Sequence, residues 1–347
     1  MTDKRTYLDH AASSPLLPEA RAAWLEGVAQ WANPSSPHAA GRAARAALEG
    51  ARERVKAALS WKGEVIFTSG ASEALALAIS RSKLPLEAFS AVEHDAVLRL
   101  AGGARRLPVD MCGRVDAADA AIGALVAVQQ VNSETGVLQD LAAIGRAVRG
   151  AGGLLLADCA QGAGKLPLPD ADMTVIAAHK FGGPIGVGAL LVRDWAMLEP
   201  SGGQERGYRP GTENLPAVMA MAAALEAGNE WMTRALLLRS RLEGAIEKLG
   251  GEVIAVDADR IATIGSYRMP GRSAAAQLIR FDAEGICISA GSACSSGSLK
   301  PSHVLEAMAY PDTSEVIRVS IGRETQEEDI DRFLKVWAQI AGRQVPA

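Results

Sequence analysis

The sequence predicts an α/β fold, a large domain with a mostly parallel sheet covered by helices, followed by a smaller α+β domain. Short apolar runs alternate with Ala-rich stretches of helical spacing, and such alternation implies parallel strands with helices on both faces. The length, 347 residues, exceeds what one small core supports and fits two domains in one body.

Glu64–Phe67, Leu125–Val128, Leu154–Ala157, Met173–Ala178 and Gly188–Val192 each read as short buried strands. Between them, Ala71–Ser80 and Leu141–Gly150 carry helical spacing. From Pro216 to about Gly250 the chain becomes rich in Ala, Leu, Met, Glu and Arg, which predicts a long helical region. Its Gly228-Asn-Glu230 interruption predicts a kink or a break into two helices. Such a region carries a chain from a large domain into a smaller one, here near residue 235. Glu252–Ile264 and Ile286–Ser289, with a final helix over Gln326–Ala341, are expected to build the smaller domain.

Composition narrows the function. A formal net charge of −4 leaves no basic footprint for gripping nucleic acid. The N-terminus lacks the apolar core of a signal peptide. The most apolar windows, Leu154–Ala157 and Val187–Val192, fall far short of a membrane span. Cysteines at 112, 159, 287 and 294 show no paired spacing, which predicts neither disulfide nor metal and points to a reducing cytoplasm. Cys287, in the alternating Gly-Ile-Cys-Ile-Ser, is expected to pack in the core; Cys112 and Cys159 receive no role.

Cys294 is different. It lies between Ile288 and His303 among Gly, Ser and Ala, residues that predict an accessible loop rather than a core. Accessible thiols are the ones that react, although an incidental loop cysteine has the same signature. Far upstream, Met173-Thr-Val-Ile-Ala-Ala-His-Lys180 runs an apolar strand into Lys180. Burial disfavours a lysine's charge, and the neutral amine suits a Schiff base with a carbonyl cofactor; a lysine that simply emerges into solvent would also fit. Gly153–Asp158 ends a strand in a carboxylate, where open α/β sheets bind ligands. Asp158 could pair with a protonated ring nitrogen or cap the next helix. Thr68-Ser-Gly-Ala-Ser72 joins a strand to a helix: Gly70 permits close approach and the helix N-terminus offers N–H groups to a phosphate, unless it is an ordinary serine cap. Phosphate cradle, ring-nitrogen acid and strand-end lysine together fit pyridoxal 5'-phosphate.

Taken in order, Tyr7-Leu-Asp-His-Ala-Ala12, Asn33-Pro-Ser-Ser36, the Thr68–Glu73 turn, Glu93-His94 and Asn132-Ser-Glu-Thr-Gly136 form a recognisable series. Asp158-Cys-Ala-Gln161, His179-Lys180, Gly202-Gly-Gln-Glu-Arg-Gly207, Gly211-Thr-Glu-Asn214, Ser289–Ser296 and Ile317–Arg323 continue it. The chain thereby resembles the cysteine desulfurases, a branch of the class V, fold-type I aminotransferase-like family, over nearly its whole length.

The resemblance implies a large cofactor domain over 15–235. It implies a small domain of 1–14 and 236–347 that carries the cysteine loop and a substrate arginine. It implies that Lys180 holds the cofactor covalently and moves protons at the substrate Cα, and that His94 stacks on the ring. Asp158 would bond the ring nitrogen and Gln161 the phenolic oxygen. Ser72 and the amides of the turn, including Gly70 and Ala71, would hold the phosphate with His179 and, from a second subunit, Thr212. Arg318 would clamp the substrate carboxylate beside Asn132, a geometry that guanidinium suits. Cys294 would take sulfur from L-cysteine as a persulfide and pass it to an acceptor protein, leaving L-alanine. A homodimer is implied; the acceptor stays open among an iron–sulfur scaffold, a tRNA-thiolation enzyme and a thiocofactor route. Two positions depart from the family pattern: Ala177 stands where many relatives have serine, and Gly70-Ala-Ser-Glu-Ala-Leu-Ala76 replaces Gly-Ala-Thr-Glu-Ser-Asn-Asn. An aminotransferase or selenocysteine lyase on the same fold, or a non-catalytic paralogue serving as a scaffold, are the rival readings.

Overall fold

The structure, a computed structural model, describes residues 5–291 and 301–343. Cys294 lies outside the described residues.

The chain opens with strand β1 (Thr6–Tyr7) and helices α1 (Pro18–Ala29) and α2 (Ala39–Ala58). The main sheet then builds through β2 (Glu64–Thr68), α3 (Ala71–Arg81), β3 (Leu86–Ser90), α4 (Asp95–Leu98), β4 (Arg105–Leu107) and β5 (Leu125–Gln129). It is completed by α5 (Leu141–Gly150), β6 (Leu154–Asp158), β7 (Met173–Ala177) and β8 (Gly188–Val192). Spatially the strands run β2-β8-β7-β6-β5-β3-β4. Every neighbouring pair is parallel except those made by β8, which lies antiparallel to both β2 and β7. The central strands β5, β7 and β8 are buried along their whole length, which is why they read as unbroken apolar runs.

Helices cover both faces. On one, Leu48 and Val55 of α2 and Ile144 and Val148 of α5 pack against Val126, Val128 and Leu155. On the other, Leu75 and Ala78 of α3 meet Ile66, Leu125 and Leu190. Helix α6 (Leu215–Glu226) is apolar all round and buried over nearly its whole length. It ends before Gly228, whose φ of 73° permits the expected break, and α7 (Met232–Lys248) follows.

Beyond α7 come β9 (Glu252–Val253), β10 (Ile264–Arg268), α8 (Ala274–Ala283), β11 (Ile286–Cys287), α9 (His303–Ala307), β12 (Val316–Ser320) and α10 (Glu327–Ala341). An antiparallel sheet β12-β10-β9 and a parallel pair β1-β11 form here. Phe281, Phe333 and Trp337 centre a separate core, the two phenylalanine rings stacked at 4.7 Å. Leu8 joins that core, tying the N-terminal strand to the C-terminal third of the chain. Cys159 is buried, whereas Cys112 and Cys287 are partly exposed; Cys287 is thus only half inside. No described helix is long and apolar enough to cross a membrane.

Candidate active site

The carboxyl ends of β5, β6 and β7 and the N-terminus of α3 surround a cavity of about 990 Å³, the crevice where open α/β sheets place ligands. Its floor at one end is the turn after β2. Gly70 caps α3 with φ 151°, a conformation that L side chains rarely adopt. Against it lies Gly188 of β8, where a Cβ would come within 2.8 Å of the Gly70 Cα. From beneath, Glu205 fixes the strand: its carboxylate accepts from the Phe67 backbone N–H at 3.0 Å and from Arg52 at 2.8 and 3.1 Å. Gly70, Ala71 and Ser72 line the cavity, so the first turn of α3 presents its N–H groups there.

Lys180 follows β7 at the end of a single 3-10 turn. Its Nζ donates to the carbonyls of Ala11 at 2.6 Å and Ala12 at 2.9 Å. Burial, then the nearby Arg318, lowers its pKa from 10.5 to about 8, against the pull of Asp158 and Asp9. The amine is therefore within reach of its neutral, nucleophilic form at physiological pH. Asp158, at the end of β6, accepts from the Ala160 N–H at 2.9 Å. Burial raises its pKa, while His94 and Lys180 favour its ionised form.

His94 precedes α4 and opens onto the cavity. Its Nδ1 accepts from the Ala96 N–H at 3.1 Å, so the proton of the neutral ring sits on Nε2. Burial lowers its pKa, and His179 falls to about 4 through burial followed by Lys180 and Lys165. Both imidazoles are neutral at pH 7. Gln161 donates from Nε2 to the Ala11 carbonyl at 2.9 Å, while its Oε1 is buried without a partner.

Arg318 of β12 reaches in from the other core. One Nη donates to the Ser133 carbonyl at 3.0 Å, the other to Asp9 Oδ1 at 2.9 Å, and Nε is buried unpartnered. Asn132 is occupied elsewhere. Its Oδ1 accepts from the N–H groups of Glu134 and Thr135, and its Nδ2 donates to the Val92 carbonyl. Thus it shapes the turn that holds Arg318 and is absent from the cavity wall. Thr212 is exposed and likewise off the wall of this subunit's cavity. Ala177 does line it.

Three residues here had no role in the sequence reading. Glu93 is buried, with Oε1 accepting from the Gln129 N–H at 2.7 Å and Oε2 without a partner. Burial and the neighbouring Asp158 push its pKa well up, which favours its neutral form. Lys165 is buried beside Lys180. Glu134 lines the cavity next to Arg318. The signal for Glu93 and Glu134 was present, since both stand inside quoted motifs; Lys165, in Gly-Lys-Leu, reads like a surface residue.

The donors fit pyridoxal phosphate: a helix end for a dianion, a strand-end carboxylate for a ring nitrogen, a half-satisfied buried amide and a lysine of depressed pKa. That combination defines an enzyme of the pyridoxal-phosphate class. The model for aminotransferase class-V matches residues 6–333. A cysteine desulfurase of Cereibacter sphaeroides is 37% identical over 96% of this chain and 95% of its own length. A solved NifS-like protein of Rickettsia africae superposes with a TM-score of 0.88 at 27% identity, covering 98% of this chain and 100% of its own. SspA in complex with cysteine gives 0.77 at 27% identity over 91% of this chain and 98% of its own. The chain belongs to the class-V aminotransferase family, on its cysteine desulfurase branch.

Proposed function

We propose that this protein converts L-cysteine to L-alanine and carries the released sulfur as a persulfide on Cys294. The observation that carries this is Lys180, with its pKa near 8, in one cavity with Asp158, His94 and Arg318. SspA, a solved relative by fold, binds cysteine, which supports the substrate.

Pyridoxal phosphate, when bound, withdraws electrons from the substrate Cα and makes its proton removable. Asp158 would bond the protonated ring nitrogen, and Gln161 would offer its amide to the phenolic oxygen. The turn at Gly70, Ala71 and Ser72, with His179, would hold the phosphate. Arg318 holds the substrate carboxylate, which fixes the Cα–H bond toward Lys180. Lys180 removes that proton as general base. The Cys294 thiolate then attacks the substrate sulfur: an S–S bond forms, the Cβ–S bond breaks, and its electron pair stays with the carbon skeleton. Lys180 and His94 return protons to carbon, giving alanine. A thiol of an acceptor, an iron–sulfur scaffold or a sulfur carrier, then takes the outer sulfur.

We further assign residues 15–235 to a cofactor domain and 1–14 with 236–347 to a small domain, in line with the separate core that joins Leu8 to Phe333. A homodimer is supported by apolar side chains open on one side of α1 and just beyond it: Leu25, Val28 and Trp31, the last 84% exposed. Thr212 would meet the partner's phosphate site. Free thiols suit a cytoplasmic location.

The test is Cys294→Ser. It should leave cofactor loading intact while desulfuration falls by orders of magnitude, and alkylation after one turnover should find the persulfide on Cys294 alone. A serine variant that still releases sulfide at the wild-type rate would sink the reading.

A further inference from the structure

Glu134 has more structure invested in it than a wall residue needs. Its N–H donates to Asn132 Oδ1 at 2.9 Å, and its carbonyl accepts from Ser266 Oγ of β10 at 2.8 Å. The backbone is thus pinned on both sides. Its side chain is buried, where a carboxylate is costly unless hydrogen-bonded. Its Oε2 accepts from Ser302 Oγ at 2.5 Å. Ser302 is buried and caps α9, accepting from the Leu305 N–H at 3.1 Å.

The same oxygen faces Gly291. A Cβ there would lie 2.2 Å from Glu134 Oε2, so the two are in direct contact and only glycine fits unless the carboxylate moves. Two residues earlier, Ser289 exchanges backbone hydrogen bonds with Arg318 at 2.7 and 3.2 Å. Gly291 and Ser302 lie on either side of the stretch that contains Cys294. One carboxylate oxygen therefore touches the chain on both sides of it, next to the strand that carries Arg318.

We propose that Glu134 is a positioning residue that fixes Gly291 and Ser302, described residues on either side of Cys294 in sequence, in register with Arg318. This rests on the desulfurase reading. Glu134 acts on the Cys294 stretch through Gly291 and Ser302. The meeting of thiol and substrate should depend on Glu134 more steeply than substrate loading, which rests on Arg318 and Lys180.

The test uses the cofactor-loaded protein and three readouts: the absorbance change on adding L-cysteine, sulfide release, and the rate of Cys294 alkylation by iodoacetamide followed by mass spectrometry. Glu134→Ala should alter Cys294 alkylation several-fold and slow sulfide release roughly ten- to a hundred-fold, the scale of a misplaced reacting group, a larger factor than any shift in the half-saturating cysteine concentration of the absorbance change. Glu134→Gln, which keeps the volume and an acceptor, should recover much of the loss. Gly291→Ala should be damaging alone and clearly less damaging when combined with Glu134→Ala, because the clash is with that side chain. Should Glu134→Ala melt early, Ser302→Ala, which removes the hydrogen bond from the other side, carries the same test. Unchanged alkylation and sulfide release in Glu134→Ala, or a Gly291→Ala penalty indifferent to Glu134, would overturn the proposal. A wild-type protein that releases no sulfide would sink the desulfurase reading instead, while alkylation of Cys294 would still report on Glu134.

Discussion

Arg318 and Asp9 meet at 2.9 Å between Nη2 and Oδ1, across 309 positions of sequence. The guanidinium assigned to a substrate carboxylate is thus already paired with one, and the pair adds to the hydrogen bonds that join the N-terminal segment to Ser320 of β12. An incoming carboxylate must take Asp9's place on the fork or use the buried, unpartnered Nε.

Arg318→Ala should remove a charge-assisted, forked contact of about 1.5–3 kcal/mol, so kcat/KM for cysteine should fall roughly ten- to a hundred-fold or more. Arg318→Lys should recover little, since an ammonium lacks the fork. Steady-state kinetics with a cofactor titration checks this; equal losses of cofactor and activity would point to a structural role.

Lys180 should bind the cofactor covalently only as the neutral amine. Its pKa near 8 means that cofactor uptake by the cofactor-free protein rises with pH to a midpoint there. Absorbance-monitored uptake across a pH series measures it, and a midpoint near the ordinary 10.5 would contradict the burial argument. Borohydride and peptide mapping should label Lys180 and no other lysine.

Glu205 should be the costliest single loss beneath the phosphate turn. Removing it takes the buried one of the two carboxylates on Arg52, leaving the half-buried Glu49 at 3.2 Å, and strands the Phe67 N–H. Glu205→Ala should cost about 3–5 kcal/mol in urea unfolding. A loss under about 1 kcal/mol, the scale of an exposed pair, would contradict this.

Lys165 is a buried cation whose pKa falls to about 7 through burial and then Lys180. An unfolded lysine titrates near 10.5. Burying its charge therefore destabilises the fold fully below about pH 7, progressively less between 7 and 10.5, and not at all above. Lys165→Met should stabilise the cofactor-free protein at pH 6 by on the order of a few kcal/mol, read as a higher Tm, with the gain shrinking toward pH 10. An equal gain at both pH values would contradict the assignment.

The strands of the main sheet were legible because burial on both faces makes each an unbroken apolar run. Gly188–Val192 matches its expected ends, and Glu64–Thr68 and Leu154–Asp158 run one residue beyond theirs. The reversed direction of β8 was not legible, since a uniformly apolar strand has no polarity. Nor were Leu86–Ser90, next to one edge of the sheet, and the edge strand Arg105–Leu107, whose charged residues break the pattern. For the site, strand ends identify Asp158 and Lys180 because parallel sheets send those ends into a common crevice. Asn132 shows the limit: a polar residue in a motif carries no mark of whether its amide faces a ligand or its own turn. The meeting of Asp9 with Arg318 and of Glu134 with Gly291 depends on tertiary approach that local spacing does not encode. Lys165 was missed because the sequence around it does not distinguish a buried ammonium from an exposed one.

The most direct measurement is to mix the cofactor-loaded protein with L-cysteine and a reducing thiol and quantify sulfide and alanine in the same sample. The mechanism predicts that both appear in equal amounts, with no keto acid. Keto acid formation or alanine without matching sulfide would contradict it.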